Sequence, residues 1–69
     1  MHHNDIPQGG LIKARYSYDH GTLQGGRSYE VVHVEPPCYI DGFQFPAYVT
    51  VKLPNGKTYT SHTNHYEKV

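Results

Sequence analysis

Histidine offers the widest choice of chemistry in this 69-residue sequence, because an imidazole can bind a metal or move a proton near neutral pH. His62 and His65 form the pair whose spacing could suit a metal, with His20 and His33 elsewhere in the chain. Zinc takes three or four such ligands in a closed shell. His65 lies beyond the predicted end of the strand that carries His62, so the two rings need not converge. We therefore expect no metal site, with His62 packed on the core side and His65 exposed.

Other catalytic groups are sparse. The six acidic residues are scattered singly, no Ser-His-Asp order suggests a triad, and no glycine-rich turn opens a helix that could hold phosphate. Cys38 is the only cysteine, and its neighbours Pro37 and Tyr39 supply no base that would activate a thiolate. We therefore expect a protein that is not an enzyme and needs no cofactor.

Charge and composition exclude further classes. The chain has six basic and six acidic residues, so its formal net charge is zero and no global field draws it to nucleic acid or anionic lipid. It shows no signal peptide and no apolar run that would span a membrane. A single cysteine rules out an internal disulfide and favours a reducing compartment. These features predict a cytoplasmic protein without a membrane partner.

The elements that must position these residues are clearest in the stretch AYVTVKLPNGKTYTSH, which alternates apolar and polar side chains on both sides of Asn55-Gly56. This dipeptide is typical of a two-residue type I′ turn, which needs a positive φ at both positions. Such a turn pairs Val49 with His62 and Lys52 with Tyr59. Because the apolar side must face the core, the pattern places His62 there and Tyr59 on the outer face.

The rest of the chain reads as short strands separated by glycine and proline, without helical periodicity. We expect an all-β fold in which residues 1–10 form a flexible leader. Its five strands are predicted near residues 11–18, 28–35, 46–53, 57–62 and 66–69, with one helical turn at 63–65. The stretch from residue 36 to 45 is predicted to be a long loop.

Three short motifs resemble those of SH3 domains. The run Ala14-Arg15-Tyr16-Ser17-Tyr18 is similar to the Ala-Leu-Tyr-Asp-Tyr opening of that family, and Gly26 stands where the family has a turn glycine. Residues 63–69 are similar to its Ser-Asn-Tyr-Val segment and closing strand. The resemblance implies a small five-stranded SH3-like barrel over residues 11–69, with one short helical turn before the last strand. The chain lacks tryptophan and has His65 in place of a groove tyrosine, which argues against a proline-peptide groove.

Segment 36–45 indicates a binding function, because it carries more large apolar side chains than a solvent-exposed loop usually does. Aromatic-rich patches of this kind are common at the centres of protein interfaces. We expect about half of these side chains to cap the core and the others to contact a partner protein, together with nearby outer tyrosines. The residues expected to bind protein are Tyr39, Ile40, Phe43, Phe45, Tyr16, Tyr18 and Tyr48.

In size and simplicity the chain resembles the small accessory proteins of bacteriophages, many of which dock on a host protein and inhibit it. We expect a domain of this size without catalytic groups to act by occupying a surface of its partner. The resemblance implies a module that modulates or inhibits a host protein in the host cytoplasm, as a monomer or a small homo-oligomer.

Nucleic acid is the alternative partner. Small barrels bind single strands by stacking bases on aromatic side chains, while basic residues follow the backbone. The residues that would do this are Lys13, Arg15, Lys52 and Tyr59. Zero net charge forgoes the counterion release that usually dominates affinity for nucleic acid, so protein binding is preferred.

Overall fold

A computed structural model describes the whole chain, residues 1–69. Its regular elements are short strands and two single turns of 3₁₀ helix, which confirms the prediction of an all-β fold. The strands are β1 (Leu11–Ala14), β2 (Ser28–Glu35), β3 (Cys38–Ile40), β4 (Phe43–Phe45), β5 (Tyr48–Lys52), β6 (Thr58–His62) and β7 (Tyr66–Lys68). The 3₁₀ turns are His3–Asp5 and Thr63–His65. The second is the helical turn that we predicted before the last strand.

Five strands form one antiparallel sheet in the order β6-β5-β2-β1-β7, whereas β3 pairs only with β4. Backbone pairing ends at β6 and at β7, so the sheet is not the closed barrel that we expected. The three residues Thr63–His65 connect these two edge strands, and so short a link requires the sheet to curl strongly. The two ends meet through side chains instead, because Ser61 Oγ and Tyr66 Oη lie 3.0 Å apart in a buried hydrogen bond.

The core lies inside the curled sheet and follows the alternation of side chains along its strands. Ile12 and Ala14 of β1 point inward, as do Val49 and Val51 of β5, and all four are fully buried. Nine buried apolar residues make up this core. Truncating one large member, as in Ile12→Ala, typically costs about 2–5 kcal/mol. In so small a domain, each of these residues contributes a large share of the stability.

A β-bulge in β2 changes which face of the strand is buried partway along its length. Tyr29 and Val31 point into the core, and the register with β5 then shifts between Val31 and His33. An extra residue in one strand reverses the alternation beyond it. Val32 is therefore exposed, whereas Val34 packs against the core.

Strand β1 ends at Ala14, four residues before its predicted end. Beyond it, Tyr18 forms an isolated bridge with Leu23, whose side chain is fully buried. The chain reverses at Asp19-His20, where φ is +55° and +53°. Because β1 stops early, Tyr16 and Tyr18 do not continue its buried face, and each is 43% exposed.

Residues 1–10 pack against the domain, although we predicted a flexible leader outside it. Ile6 is a core residue and is only 7% exposed. The N–H of Gly9 donates to the carbonyl of Val31, and the N–H of Val31 donates to the carbonyl of Gly10. The segment lies against β2 because these backbone bonds and the burial of Ile6 hold it there.

The connection between β5 and β6 is a three-residue loop, Pro54-Asn55-Gly56, and not the two-residue turn that we predicted. The N–H of Leu53 donates to the carbonyl of Lys57 across the loop. The φ angle is positive at Gly56, at +86°, but not at Asn55. This is the geometry of a type I turn followed by a G1 bulge.

The longer loop moves the β5–β6 ladder by one residue. Val49 pairs with Ser61, and Tyr48 pairs with His62. A slip of one residue moves every side chain to the other face of the sheet. Ser61 is therefore buried, Tyr59 packs against the core and His62 is exposed. The predictions of an inward His62 and an outward Tyr59 are wrong for this reason.

Replacing Gly56 with valine should lower the free energy of unfolding by about 1 kcal/mol or more, because a β-branched side chain is strained at positive φ. Gly56→Asn should cost less, since asparagine adopts this region more readily. A Cβ at Gly56 would meet open space, so the loss reports backbone strain and not a clash. Urea unfolding of the three proteins measures the difference, and equal midpoints would contradict the loop conformation described here.

Candidate protein-binding surface

Strands β3 and β4 form a two-stranded hairpin where we predicted a loop. Asp41-Gly42 joins them with positive φ at both residues, +51° and +81°, which is the type I′ geometry. Cys38 pairs with Phe45, and Ile40 pairs with Phe43. Proline flanks the hairpin on both sides, at residues 36–37 and 46, and proline has no N–H to donate to a ladder. The hairpin therefore pairs with itself and not with the five-stranded sheet.

The large apolar side chains of this hairpin are exposed. Tyr39 is 72% exposed, Ile40 54%, Phe43 70% and Phe45 43%. We expected about half of the apolar side chains in this segment to fold back onto the core, and none of them is buried. The hairpin is a separate unit whose apolar surface the rest of the chain leaves uncovered.

The register divides these side chains between two faces. Residues that pair directly share a face, and faces alternate along each strand. One face carries Cys38, Ile40, Phe43 and Phe45, which we call the apolar hairpin face, and the other carries the Tyr39–Gln44 pair. An isolated two-stranded hairpin is at best marginally stable in water, and a covered apolar face is what stabilises a small sheet. The apolar hairpin face is therefore the strongest candidate for a contact with another molecule.

Five rings form a second group, which we call the aromatic strip: Tyr16, Tyr18 and His62 are exposed, Tyr48 is half-buried and His65 is buried. The rings of Tyr18 and His65 have centroids 4.1 Å apart. His62 lies 6.2 Å from His65, and Tyr48 lies 4.8 Å from His62. Tyr16 meets His65 edge-on at 5.7 Å. The strip thus brings together three of the tyrosines that we expected to bind protein.

Four different parts of the chain supply the aromatic strip. Tyr16 and Tyr18 follow β1, Tyr48 begins β5, His62 ends β6 and His65 lies in the second 3₁₀ turn. The observed β5–β6 register places His62 directly beside Tyr48 on the outer face. Turn geometry and strand register therefore assemble these rings, which are far apart in the sequence.

His65 is the buried centre of the strip, at 9% exposure, although we predicted an exposed side chain. Burial lowers the pKa of His65 below its usual range, and the nearby His62 adds to the fall. The ring is therefore neutral at pH 7, and its Nδ1 forms a hydrogen bond of 2.8 Å with the Tyr16 hydroxyl. The backbone carbonyl of His65 accepts from the N–H of Arg15. These bonds fix the 3₁₀ turn to the segment that carries the two tyrosines.

The basic residues of the nucleic-acid alternative do not form one positive track. Lys13 Nζ lies 3.8 Å from a carboxylate oxygen of Glu67. Arg15 donates to a backbone carbonyl of the second 3₁₀ turn. Lys52 pairs across the sheet with Glu30. A carboxylate therefore lies near Lys13 and another is in register with Lys52, whereas the contact of Arg15 is with an uncharged group.

Tyr59 does not offer a stacking platform beside Lys52. The two side chains lie on opposite faces, because Lys52 pairs with Thr58 and Tyr59 pairs with Val51. Tyr59 packs against the core, and burial raises its pKa to about 12, with the Asp19 carboxylate adding to the rise. Its hydroxyl therefore stays protonated across the neutral range.

No three side chains among the histidines, cysteine and acids come together as a set that could hold a metal ion. None of the helical segments has the length and apolar character needed to cross a membrane. Cys38 is exposed and forms part of the apolar hairpin face.

Lowering the pH below about 6.5 should destabilise the protein through His65. The unfolded histidine titrates near 6.5, whereas the folded one titrates lower, so the unfolded state binds more protons between the two values. Stability is therefore complete above pH 6.5 and declines as the pH falls toward the folded pKa. Thermal melts over this range should lose part of the slope in His65→Gln and keep it in the exposed control His20→Asn. An unchanged slope in His65→Gln would contradict the prediction.

Chelation should leave the melting temperature unchanged, because His62 and His65 lack further ligands nearby. The measurement is a thermal melt with EDTA, followed by added zinc. A loss of several degrees that zinc restores would contradict this expectation.

We compared the chain with known proteins at three levels. No protein-family model, no curated protein and no solved structure matches it.

Proposed function

We propose that this chain is a small non-enzymatic module that docks on another protein through the β3–β4 hairpin. The observation that carries the proposal is the position of Phe43 and Phe45, which are the only phenylalanines in the chain. Both are exposed on the hairpin, at 70% and 43%. Exposed aromatic clusters of this kind are typical of interface hot spots.

The aromatic strip supports the same function from a second position. Tyr16, Tyr18 and Tyr48 present amphipathic rings, which contribute contact area at low entropic cost. Neutral His65 anchors the two tyrosines after β1 and holds them in fixed positions. A partner that contacts the strip would bind preorganised rings, which lowers the entropic cost of association.

We also propose that the curled sheet is a variant of the SH3-like barrel. Its strand order, with the last strand beside the first, and the 3₁₀ turn before that strand support this proposal. Tyr16 and Tyr18, which carry the resemblance to SH3 domains, both lie in the aromatic strip. The sheet departs from that family in remaining open between β6 and β7.

Without a catalytic constellation, the module acts by occupying a surface of its partner. In many of the small phage accessory proteins that the chain resembles in size and simplicity, docking of this kind inhibits a host protein. We propose the same effect here, modulation or inhibition of a host protein. The mixed charges around Lys13, Arg15 and Lys52 support a protein partner over nucleic acid, whose affinity depends on phosphate neutralisation.

The test is capture of binding partners from a lysate of the natural host by the immobilised chain, with and without nuclease. We expect one discrete protein that stays bound after nuclease treatment and in added salt. Phe43→Ala should weaken its binding by about 2 kcal/mol or more, because hot-spot rings dominate interface affinity. Leu11→Ala is the matched control, since Leu11 is also exposed, at 53%, but lies in the five-stranded sheet.

Two outcomes would contradict the proposal. Equal loss of the captured protein in Phe43→Ala and Leu11→Ala would exclude the hairpin as the contact. Recovery of nucleic acid alone, with binding that falls steeply with salt and with Lys13→Glu, would favour the alternative partner.

A further inference from the structure

The near absence of charge around the apolar hairpin face limits the kind of surface that can cover it. Residues 36–47 contain one charged side chain, Asp41, and it lies in the turn at the tip of the hairpin. A partner that placed charges against Cys38, Ile40, Phe43 and Phe45 would bury them without a counter-ion, which is costly. The matching surface is therefore apolar and uncharged. Another copy of the hairpin is such a surface, and the zero formal charge of the chain sets up no net repulsion between copies.

The shape of the face is also complementary to itself. The two phenylalanines form one row along β4, and the smaller Cys38 and Ile40 form a parallel row along β3. A two-fold axis parallel to the strands and midway between two stacked hairpins places β3 of each copy over β4 of the other. Each bulky row then faces a smaller row, the alternation that lets two apolar layers interdigitate. Stacked sheets pack about 10 Å apart in this way.

We infer that two copies of the chain associate through the apolar hairpin face and form a two-fold symmetric dimer. The pair makes a two-layer β-structure, which gives each hairpin the covered face that a two-stranded sheet lacks. The exposed surface of the three large apolar side chains on this face, Ile40, Phe43 and Phe45, amounts to only about 300 Å² in each copy. A standard interface buries about 800 Å² in each partner, so the dimer is weak and depends on concentration.

Self-association also regulates docking on the partner protein, and this regulation, unlike the dimer itself, rests on the proposed function. A partner that uses Phe43 and Phe45 competes with the second copy for the same face. Dilution of the protein therefore frees the face, and a high local concentration covers it. Tyr39 and Gln44 lie on the opposite face of the hairpin and stay accessible in the dimer.

Sedimentation velocity under reducing conditions tests the dimer with the chain alone. The wild type should move from the mass of one chain toward that of two as the concentration rises from low micromolar to near millimolar. Phe43→Ser should weaken association by about tenfold or more. Tyr39→Ser is the matched control, because Tyr39 is equally exposed at 72% but lies on the other face, and it should behave as the wild type does. Circular dichroism melts establish that both variants fold.

The thiol of Cys38 gives an independent readout, since it belongs to the face and is the only thiol in the chain. Its alkylation rate should fall several-fold as the wild-type concentration rises and stay constant in Phe43→Ser. A wild type that remains monomeric throughout would overturn the inference, as would equal weakening by Phe43→Ser and Tyr39→Ser. A dimer that forms while no host protein binds would instead overturn the proposed function alone.

Discussion

The three-residue loop Pro54-Asn55-Gly56 is the constraint on which most of this structure depends. It fixes the β5–β6 register so that Ser61 points into the core and His62 points out. Inside, Ser61 bonds to the hydroxyl of Tyr66 and joins the two ends of the curled sheet. Outside, His62 meets Tyr48 and continues the aromatic strip. One backbone feature thus sets both the closure of the core and the composition of the surface.

The strand positions were predictable from alternation, but the register was not. Strand β2 has its predicted bounds, and β5 and β6 lie within theirs. Asn55-Gly56 favours a type I′ turn, whereas Pro54 favours the first central position of a type I turn. The proline sets the outcome, because its fixed φ suits a type I turn that ends at Gly56. The two readings differ by one residue, which is enough to exchange the environments of Ser61 and His62.

The hairpin at residues 38–45 also had a turn dipeptide in its sequence, with prolines nearby. Asp41-Gly42 is a strong type I′ dipeptide, but prolines on both sides make the segment read as a loop. Those prolines prevent extension of the main sheet and do not prevent a short hairpin that bonds to itself. The aromatic strip had no local signal, since its members come from four elements and meet only through tertiary structure. Tyr16, Tyr18 and Tyr48 could be proposed individually, whereas the burial of His65 could not.

The apolar residues of this chain fall into two groups, one that forms the core and one that lies on the surface. A domain of this size buries only about 60% of the surface that its unfolded chain exposes, so it gains from every large side chain that it can enclose. Yet the core consists mainly of valine, isoleucine, leucine, alanine and tyrosine, while Phe43 and Phe45 lie outside it. Burying a phenylalanine is worth about 1.5–3 kcal/mol, so leaving both exposed forgoes a gain comparable to much of a small domain's net stability. That free energy remains available for association, which is the physical basis for treating the hairpin as a contact surface.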